Sequence, residues 1–132
     1  MTYIWYYYKS TGQPDVIIQH PSNTPIQDET VLVKESDKYM EIACSGQQPV
    51  LWSYPNTAQD KITVRTTAEL NPITSELHYD SVLMLSNMSY TDTGEYACVF
   101  VSYAGTPLES EQRRAQYVYV TSTSKLQMSI IY

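Results

Sequence analysis

The sequence predicts an all-β fold in which two sheets pack face to face as a sandwich. Apolar residues almost never recur at helical spacing, whereas short runs alternate between apolar and polar residues and are separated by turn-forming residues. In addition, Cys44 and Cys98 each lie on the apolar side of such a run. A chain of 132 residues is long enough to bury a core and suits one domain.

The alternating runs predict the order of the strands along the chain. The clearest runs, in chain order, are 15–19, 31–34, 39–45, 49–54, 81–88, 95–101 and 115–121. The polar stretch 55–81 has room for two short edge strands, which we expect near 61–66 and 73–79. Residues 102–114, which include Gly105 and Pro107, predict a hairpin loop between the last two strands.

The two cysteines leave two alternatives, a disulfide that closes a long loop or two buried free thiols. Trp52 lies between them in the sequence, and Tyr96 lies two residues before Cys98, as in immunoglobulin domains. This arrangement favours the disulfide and an oxidising compartment. We therefore predict an immunoglobulin-like β-sandwich, I-set or V-like, whose two antiparallel sheets are joined by one disulfide, with Leu83 and Leu85 also in the core.

The segment "SYTDTGEYAC" predicts how the chain enters the strand that carries Cys98. Tyr96 fits a tyrosine corner, in which the ring packs inward and the hydroxyl bonds back to the backbone of the turn. Asp92 and Gly94 belong to that turn, where Asp bonds to backbone amides and Gly tolerates unusual backbone angles. We also expect Asp92 to pair with a cation across the base of the sandwich, and Arg65 is the candidate.

The sequence contains no constellation typical of catalysis, of a metal or of a cofactor. His20 and His78 are the two histidines, and the HExxH, GxSxG, GxGxxG and P-loop motifs do not occur. Since both cysteines belong to the core, neither is a candidate nucleophile. We therefore expect no catalytic residue, no metal ligand and no cofactor in this segment, which indicates that it is not an enzyme.

Charge and hydropathy argue against nucleic acid and against a membrane span. The formal net charge is −6, and the lysines and arginines are scattered rather than clustered on one face. No run of about 18 apolar residues is present, so we expect no membrane contact by this segment. The 13 tyrosines suit a protein interface, and Tyr54, Tyr90 and Tyr103 are the candidates for exposed contact, although tyrosine is also common inside strands.

One modification motif is present, the sequon Asn87-Met88-Ser89. If Met88 packs inward, Asn87 projects outward, and we expect it to carry a glycan. We expect the domain to occupy 14–122. Residues 1–13 form an aromatic extension, which is either a remnant of a leader or expression vector or an extra edge strand, and 123–132 form a linker or the start of a following domain.

Three segments together resemble the first extracellular immunoglobulin domain of the platelet-derived and vascular endothelial growth factor receptors. They are "CSGQQPVLW" (44–52), "SVLMLSNMSYTDTGEYAC" (81–98) and "ESEQRRAQYVYV" (109–120), within a likeness that covers roughly 14–122. The resemblance implies the ectodomain of a single-pass plasma-membrane receptor tyrosine kinase. It also implies that the protein ligand is a dimeric growth factor, which such receptors hold mainly through their second and third domains. Only structural residues carry over: Cys44, Trp52, Tyr96 and Cys98.

Two other function classes remain beside the growth-factor receptor. A cell-adhesion or soluble decoy protein would use the same sandwich without a kinase, and its partner would be another cell-surface protein. An enzyme would need a turnover activity for which we find no residues. A membrane span and kinase motifs downstream would support the receptor, whereas a stop codon would support the decoy.

Overall fold

The computed structural model describes residues 13–20, 25–27 and 30–122, with side chains described at 13–19 and 30–122. Except for Gln13, the expected aromatic extension lies outside the described residues, and so does the expected linker 123–132. The strands are β1 (Asp15–His20), β2 (Pro25–Gln27), β3 (Thr30–Lys34), β4 (Tyr39–Gly46), β5 (Val50–Ser53), β6 (Ile62–Leu70), β7 (Leu77–Ser86), β8 (Gly94–Phe100) and β9 (Arg114–Thr121). Short helical segments are the 3-10 helices Glu35–Asp37, Asn56–Lys61, Tyr90–Asp92 and Val101–Tyr103 and the α-helix α1 (Glu109–Gln112).

The strands form two sheets that face each other. One has the order β1-β4-β7-β6, and the other has the order β2-β3-β9-β8-β5. Neighbouring strands are antiparallel except for β3 and β9, which run parallel. The predicted immunoglobulin-like sandwich is confirmed. Residues 54–61 form no strand, so this stretch lacks the additional strands of the variable type.

The core lies between the sheets and follows the alternation in the sequence. In β4 the apolar residues Met40, Ile42 and Cys44 all point inward and are buried. Leu83 and Leu85 lie beside them on the neighbouring strand β7 and are fully buried, and Tyr96, which is equally inaccessible, lies on β8 of the opposite sheet. Burying each such side chain contributes about 1.5–3 kcal/mol, which is why alternation is a reliable guide to which face is inside.

The stretch 55–81 differs from the prediction of two short strands. The first is longer than expected and becomes the nine-residue β6, whereas residues 73–76 form a turn and β7 begins only at Leu77. The Asn71 side-chain oxygen accepts hydrogen bonds from the backbone N–H groups of Ile73 at 2.9 Å and Thr74 at 3.2 Å. This local capping, next to Pro72, closes a hairpin where the alternation alone suggested a strand.

The predicted hairpin loop 102–114 contains structure of its own. It includes most of the 3-10 helix Val101–Tyr103 and all of α1, and α1 packs against β8. Ala97 and Val99 point outward from β8 yet are buried, and residues of this loop lie beside them. The loop thus covers part of the outer face of the five-stranded sheet.

Candidate functional site

A disulfide between Cys44 and Cys98 joins β4 of one sheet to β8 of the other, with the two Cα atoms 6.7 Å apart. Trp52 lies directly opposite Cys98 in the pairing of β5 with β8. The indole packs against the core, and its Nε1 donates a hydrogen bond to Ser81 Oγ at 2.9 Å. Trp52 is nevertheless only partly buried, because β5 is an edge strand and has no neighbour on its other side.

Ser81 was not singled out from the sequence, although it lies in alternation with Leu83 and Leu85. It is buried on the core side of β7, and its hydroxyl contacts both the Trp52 indole and Thr66 Oγ1, the latter at 3.1 Å. The alternation of β7 extended back by two residues would have placed Ser81 inward. The hydroxyl satisfies the indole N–H, which would otherwise be a partly buried donor without a partner.

Tyr96 forms the corner at the start of β8. Its hydroxyl donates a hydrogen bond to the backbone carbonyl of Asp92 at 2.6 Å. Burial, together with the nearby charge of Asp92, raises the pKa of Tyr96 above its ordinary value of 10.0. The phenol is therefore a neutral donor at physiological pH, and it ties the turn to the core.

Asp92 is fully buried beside that corner and pairs with Lys61. Its Oδ2 accepts from Lys61 Nζ at 2.8 Å and from the backbone N–H of Ser89 at 3.0 Å. Its Oδ1 makes no hydrogen bond within the part of the chain that the structure describes. The carboxylate thus links the turn before β8 to the residue that precedes β6.

The prediction that Arg65 pairs with Asp92 is wrong. Arg65 lies opposite Val82 in the pairing of β6 with β7, on the outer face of the four-stranded sheet, whereas Leu83 next along β7 faces the core. Lys61 ends the 3-10 helix before β6, so it is not bound by the alternation of that strand. It reaches Asp92 at the base of the sandwich.

Gly94 is the first residue of β8 and directly follows the turn that contains Asp92. A Cβ atom at this position would lie 2.7 Å from Cγ of Pro55, which is too close for any non-bonded contact. Pro55 directly precedes the 3-10 helix Asn56–Lys61. The absence of a side chain at Gly94 therefore lets the two segments pack.

The sequon lies on the surface of the domain. Met88 is buried and Asn87 is exposed, with a positive φ of 51° that asparagine tolerates better than most residues. The backbone N–H of Asn87 donates to the carbonyl of Lys38 at 3.2 Å. The sequon asparagine is thus held in a fixed turn with its side chain accessible.

The tyrosines considered for contact differ in exposure. Tyr54 and Tyr103 are half-buried, whereas Tyr90 is exposed and its backbone N–H donates to Glu35 Oε2 at 2.8 Å. Tyr117 and Tyr119 share the outer face of β9 and are both exposed. The outer face of the five-stranded sheet therefore offers more tyrosine surface than the sequence alone indicated.

Among the described side chains, no group of three His, Cys, Asp or Glu residues is placed to hold a metal ion. His78 contacts Asp80 at 3.3 Å on the surface. A cleft of about 180 Å³ opens beside β5 and β8, bordered by Leu51 and Arg113. That is smaller than a typical small-molecule site of roughly 300–1,000 Å³. Within the described ranges, no helix has the length and apolar content needed to cross a membrane.

Comparison with known proteins matches residues 20–129 to the model of the N-terminal Ig-like domain of VEGFR1-3. The chain belongs to this family. It is 29% identical over 105 residues to platelet-derived growth factor receptor alpha of Xenopus laevis, covering 80% of this chain and 9% of that receptor. It is 32% identical over 79 residues to platelet-derived growth factor receptor beta of Homo sapiens, covering 60% of this chain and 6% of that receptor.

A solved structure described as the crystal structure of Rst D1-D2 superposes with a TM-score of 0.49 at 16% identity, over 83% of this chain and 50% of that chain. Membership of the receptor family rests on the sequence match and on the disulfide-joined sandwich. The chain is accordingly an immunoglobulin-like receptor module and not a catalytic domain. It spans less than a tenth of the length of the receptors it matches.

Proposed function

We propose that this chain is the N-terminal extracellular domain of a single-pass growth-factor receptor of the platelet-derived or vascular endothelial type. In this role it contributes to ligand recognition or to the architecture of the ectodomain, and a tyrosine kinase lies elsewhere in the receptor. The observation that carries the proposal is the family match over 20–129, which covers most of the disulfide-joined sandwich. The proposed protein ligand is a dimeric growth factor.

The physical character of the domain fits recognition outside the cell. A disulfide persists in an oxidising compartment, and here it clamps both sheets at their centre. Tyr117 and Tyr119 present rigid aromatic surface on an outer face, as protein interfaces commonly do. The net charge of −6 favours association with a basic protein surface.

Each singled-out residue has a proposed part in this module. Cys44, Cys98, Trp52 and Tyr96 hold the sheets and the corner together, and the turn with its buried carboxylate fixes how β8 begins. We take 14–122 as the folded unit. Because these residues stabilise the fold, we expect growth-factor contacts on the outer surface of the domain and not at these residues.

Asn87 is the proposed glycosylation site, because it is exposed next to the buried Met88. Secretion from a mammalian cell line should give a chain whose mass falls after treatment with a glycan-removing amidase. The Asn87→Gln variant should lack that mass, whereas the Asn56→Gln control, which changes an exposed asparagine outside any sequon, should retain it. A wild-type chain secreted without glycan would contradict the assignment.

The receptor function is tested with a multi-domain ectodomain, with and without residues 1–122, against immobilised dimeric growth factors of both classes. We expect at least one factor to bind the longer form. A weaker affinity without residues 1–122 would show a contribution to recognition, whereas an equal affinity would leave an architectural role. Failure of every factor to bind the full ectodomain would overturn the growth-factor assignment.

A further inference from the structure

One flank of the sandwich is open where β5 and β6, the edge strands of the two sheets, lie on the same side. Val64 pairs opposite the buried Leu83, and Leu70 pairs opposite Leu77, so Val64 and Leu70 project from the core-facing side of the four-stranded sheet. Yet Val64 is 44% exposed and Leu70 is 60% exposed. The described residues cover this face only in part, since β5 is the last strand of its sheet on this side.

The same flank presents backbone groups of β5. The carbonyl of Pro49 accepts a hydrogen bond from the N–H of Val101 at 3.0 Å, across the same ladder that pairs β5 with β8. In an antiparallel ladder the backbone groups of successive residues point to opposite sides. Those of Leu51 therefore face β8, whereas the N–H and C=O groups of Val50 and Trp52 face the open flank.

The charges around this flank are predominantly acidic. Between residues 46 and 80 the ionised side chains are Asp60, Lys61, Arg65, Glu69, Glu76 and Asp80. Lys61 is held by Asp92, and Arg65, Glu69 and Asp80 all lie on the outer face of the four-stranded sheet. The charges that remain are Asp60, which is exposed after β5, and Glu76, which is exposed and accepts a hydrogen bond from Gln47 Nε2 at 3.5 Å just before β5. A segment that approaches the flank would be favoured by lysine or arginine.

We propose that this flank binds an extended, basic segment of a partner protein, which pairs with β5 as an added strand. Alternate apolar side chains of that segment would cover Val64 and the neighbouring Ala68, and its backbone would pair with Val50 and Trp52. Its lysines or arginines would lie near the acidic side chains. This site is separate from the proposed growth-factor recognition and does not depend on it.

The proposal is tested on the full 132-residue chain with a synthetic ten-residue peptide in which valine alternates with lysine or threonine. Peptide binding is followed by fluorescence anisotropy, and amide hydrogen exchange is followed by NMR. We expect saturable binding that slows exchange at the Val50 and Trp52 amides at least tenfold. The Leu51 amide, which faces β8, should be protected before peptide is added.

Matched variants and peptides distinguish strand pairing from nonspecific hydrophobic or electrostatic binding. The double variant Val64→Asn with Leu70→Asn should bind the peptide at least tenfold more weakly, whereas Thr63→Asn, on the other face of β6, should bind as the wild type does. A peptide N-methylated at alternate residues cannot pair and should not bind. Replacing its lysines with glutamate should weaken binding at least tenfold, and added salt should reduce this difference.

Several results would overturn the proposal. One is the absence of peptide binding at millimolar concentration, and another is binding that leaves the Val50 and Trp52 amides unchanged. Protection of those amides in the dilute free chain would show that its own terminal residues occupy the flank. Protection that grows with protein concentration alone would assign the flank to a second copy of the chain.

Discussion

Replacing Lys61 with methionine should destabilise the domain strongly, even though Lys61 lies near the surface. Methionine keeps most of the apolar stem but removes the ammonium group that contacts Asp92 Oδ2 at 2.8 Å. The Asp92 side chain is 0% exposed, so water cannot replace the lost partner. Only the backbone N–H of Ser89, at 3.0 Å, would then support the carboxylate.

The magnitude follows from the burial of the two partners. Removing one member of a buried ion pair costs about 3–5 kcal/mol, because the other charge remains buried without compensation. The Lys61 side chain is 28% exposed, so solvent already screens part of the attraction and the loss should fall at or just below the lower end of this range. We therefore expect a loss of about 2–3 kcal/mol, which for a domain of this size lowers the melting temperature by roughly 5–15 °C.

Chemical denaturation of wild-type and Lys61→Met domains, followed by tryptophan fluorescence, measures this change. The midpoint should fall while the slope stays constant, since both chains expose similar surface on unfolding. Arg65→Met is the matched control, because it removes a cation from the outer face of the sheet and should change stability by less than about 0.5 kcal/mol. Equal midpoints for Lys61→Met and wild type, or a larger loss for Arg65→Met, would refute the reasoning.

Three further predictions concern the Cys44–Cys98 disulfide, the tyrosine corner at Tyr96 and the turn that leads into Gly94. Reducing the disulfide between Cys44 and Cys98, which are 54 residues apart, should lower the free energy of unfolding by about 4 kcal/mol in the chain-entropy model. An unchanged melting temperature in strong reductant would contradict this. Because burial raises the pKa of Tyr96 above 10.0, the folded state holds that proton more tightly, so its contribution is complete below about pH 10 and is lost as the pH rises further. Denaturation at pH 8–11 should show this loss, and a Tyr96→Phe domain with the same pH slope would rule it out. Gly94→Ala should lower the free energy of unfolding by about 1–3 kcal/mol, because its Cβ would lie 2.7 Å from Pro55. Adding Pro55→Ala should restore part of this loss in denaturation experiments. If it restores none, backbone conformation alone is responsible for the loss.

Features encoded within a few residues of each other could be predicted from the sequence. The alternation in 39–45 and 95–101 identified the inward faces because each apolar side chain on one face gains from burial. The spacing of Trp52 and Tyr96 around the cysteines predicted a disulfide-joined sandwich, and Cys44 and Cys98 are indeed bridged. Turn chemistry was the weaker signal, since Asn71 closes a hairpin that the pattern of 73–79 did not reveal.

The partner of Asp92 could not be predicted in the same way, because it depends on where two distant segments end. Arg65 lies in a strand whose alternation turns it away from the core, whereas Lys61 lies just before that strand begins. In one continuous strand residues 61 and 65 would face the same side, so Lys61 reaches Asp92 only because β6 begins after it, at Ile62. The start is determined by the 3-10 helix Asn56–Lys61 and by its packing near Tyr90–Asp92, a tertiary contact without a local signature.

The open flank shows why alternation identifies a face but not what covers it. Val64, Thr66 and Ala68 follow the same two-residue period as the buried Leu83 and Ser81 opposite them, so the pattern assigns them all to the core. Burial, however, needs an opposing layer, and the five-stranded sheet ends at β5, which is followed by the 3-10 helix Asn56–Lys61 and not by another strand of that sheet. Side chains selected for an interior thus remain at the surface beside an unpaired strand edge. Such an edge is normally shielded by charge or by a covering segment. Here acidic residues lie nearby without covering the apolar side chains, which is the physical reason to expect a basic strand at this position.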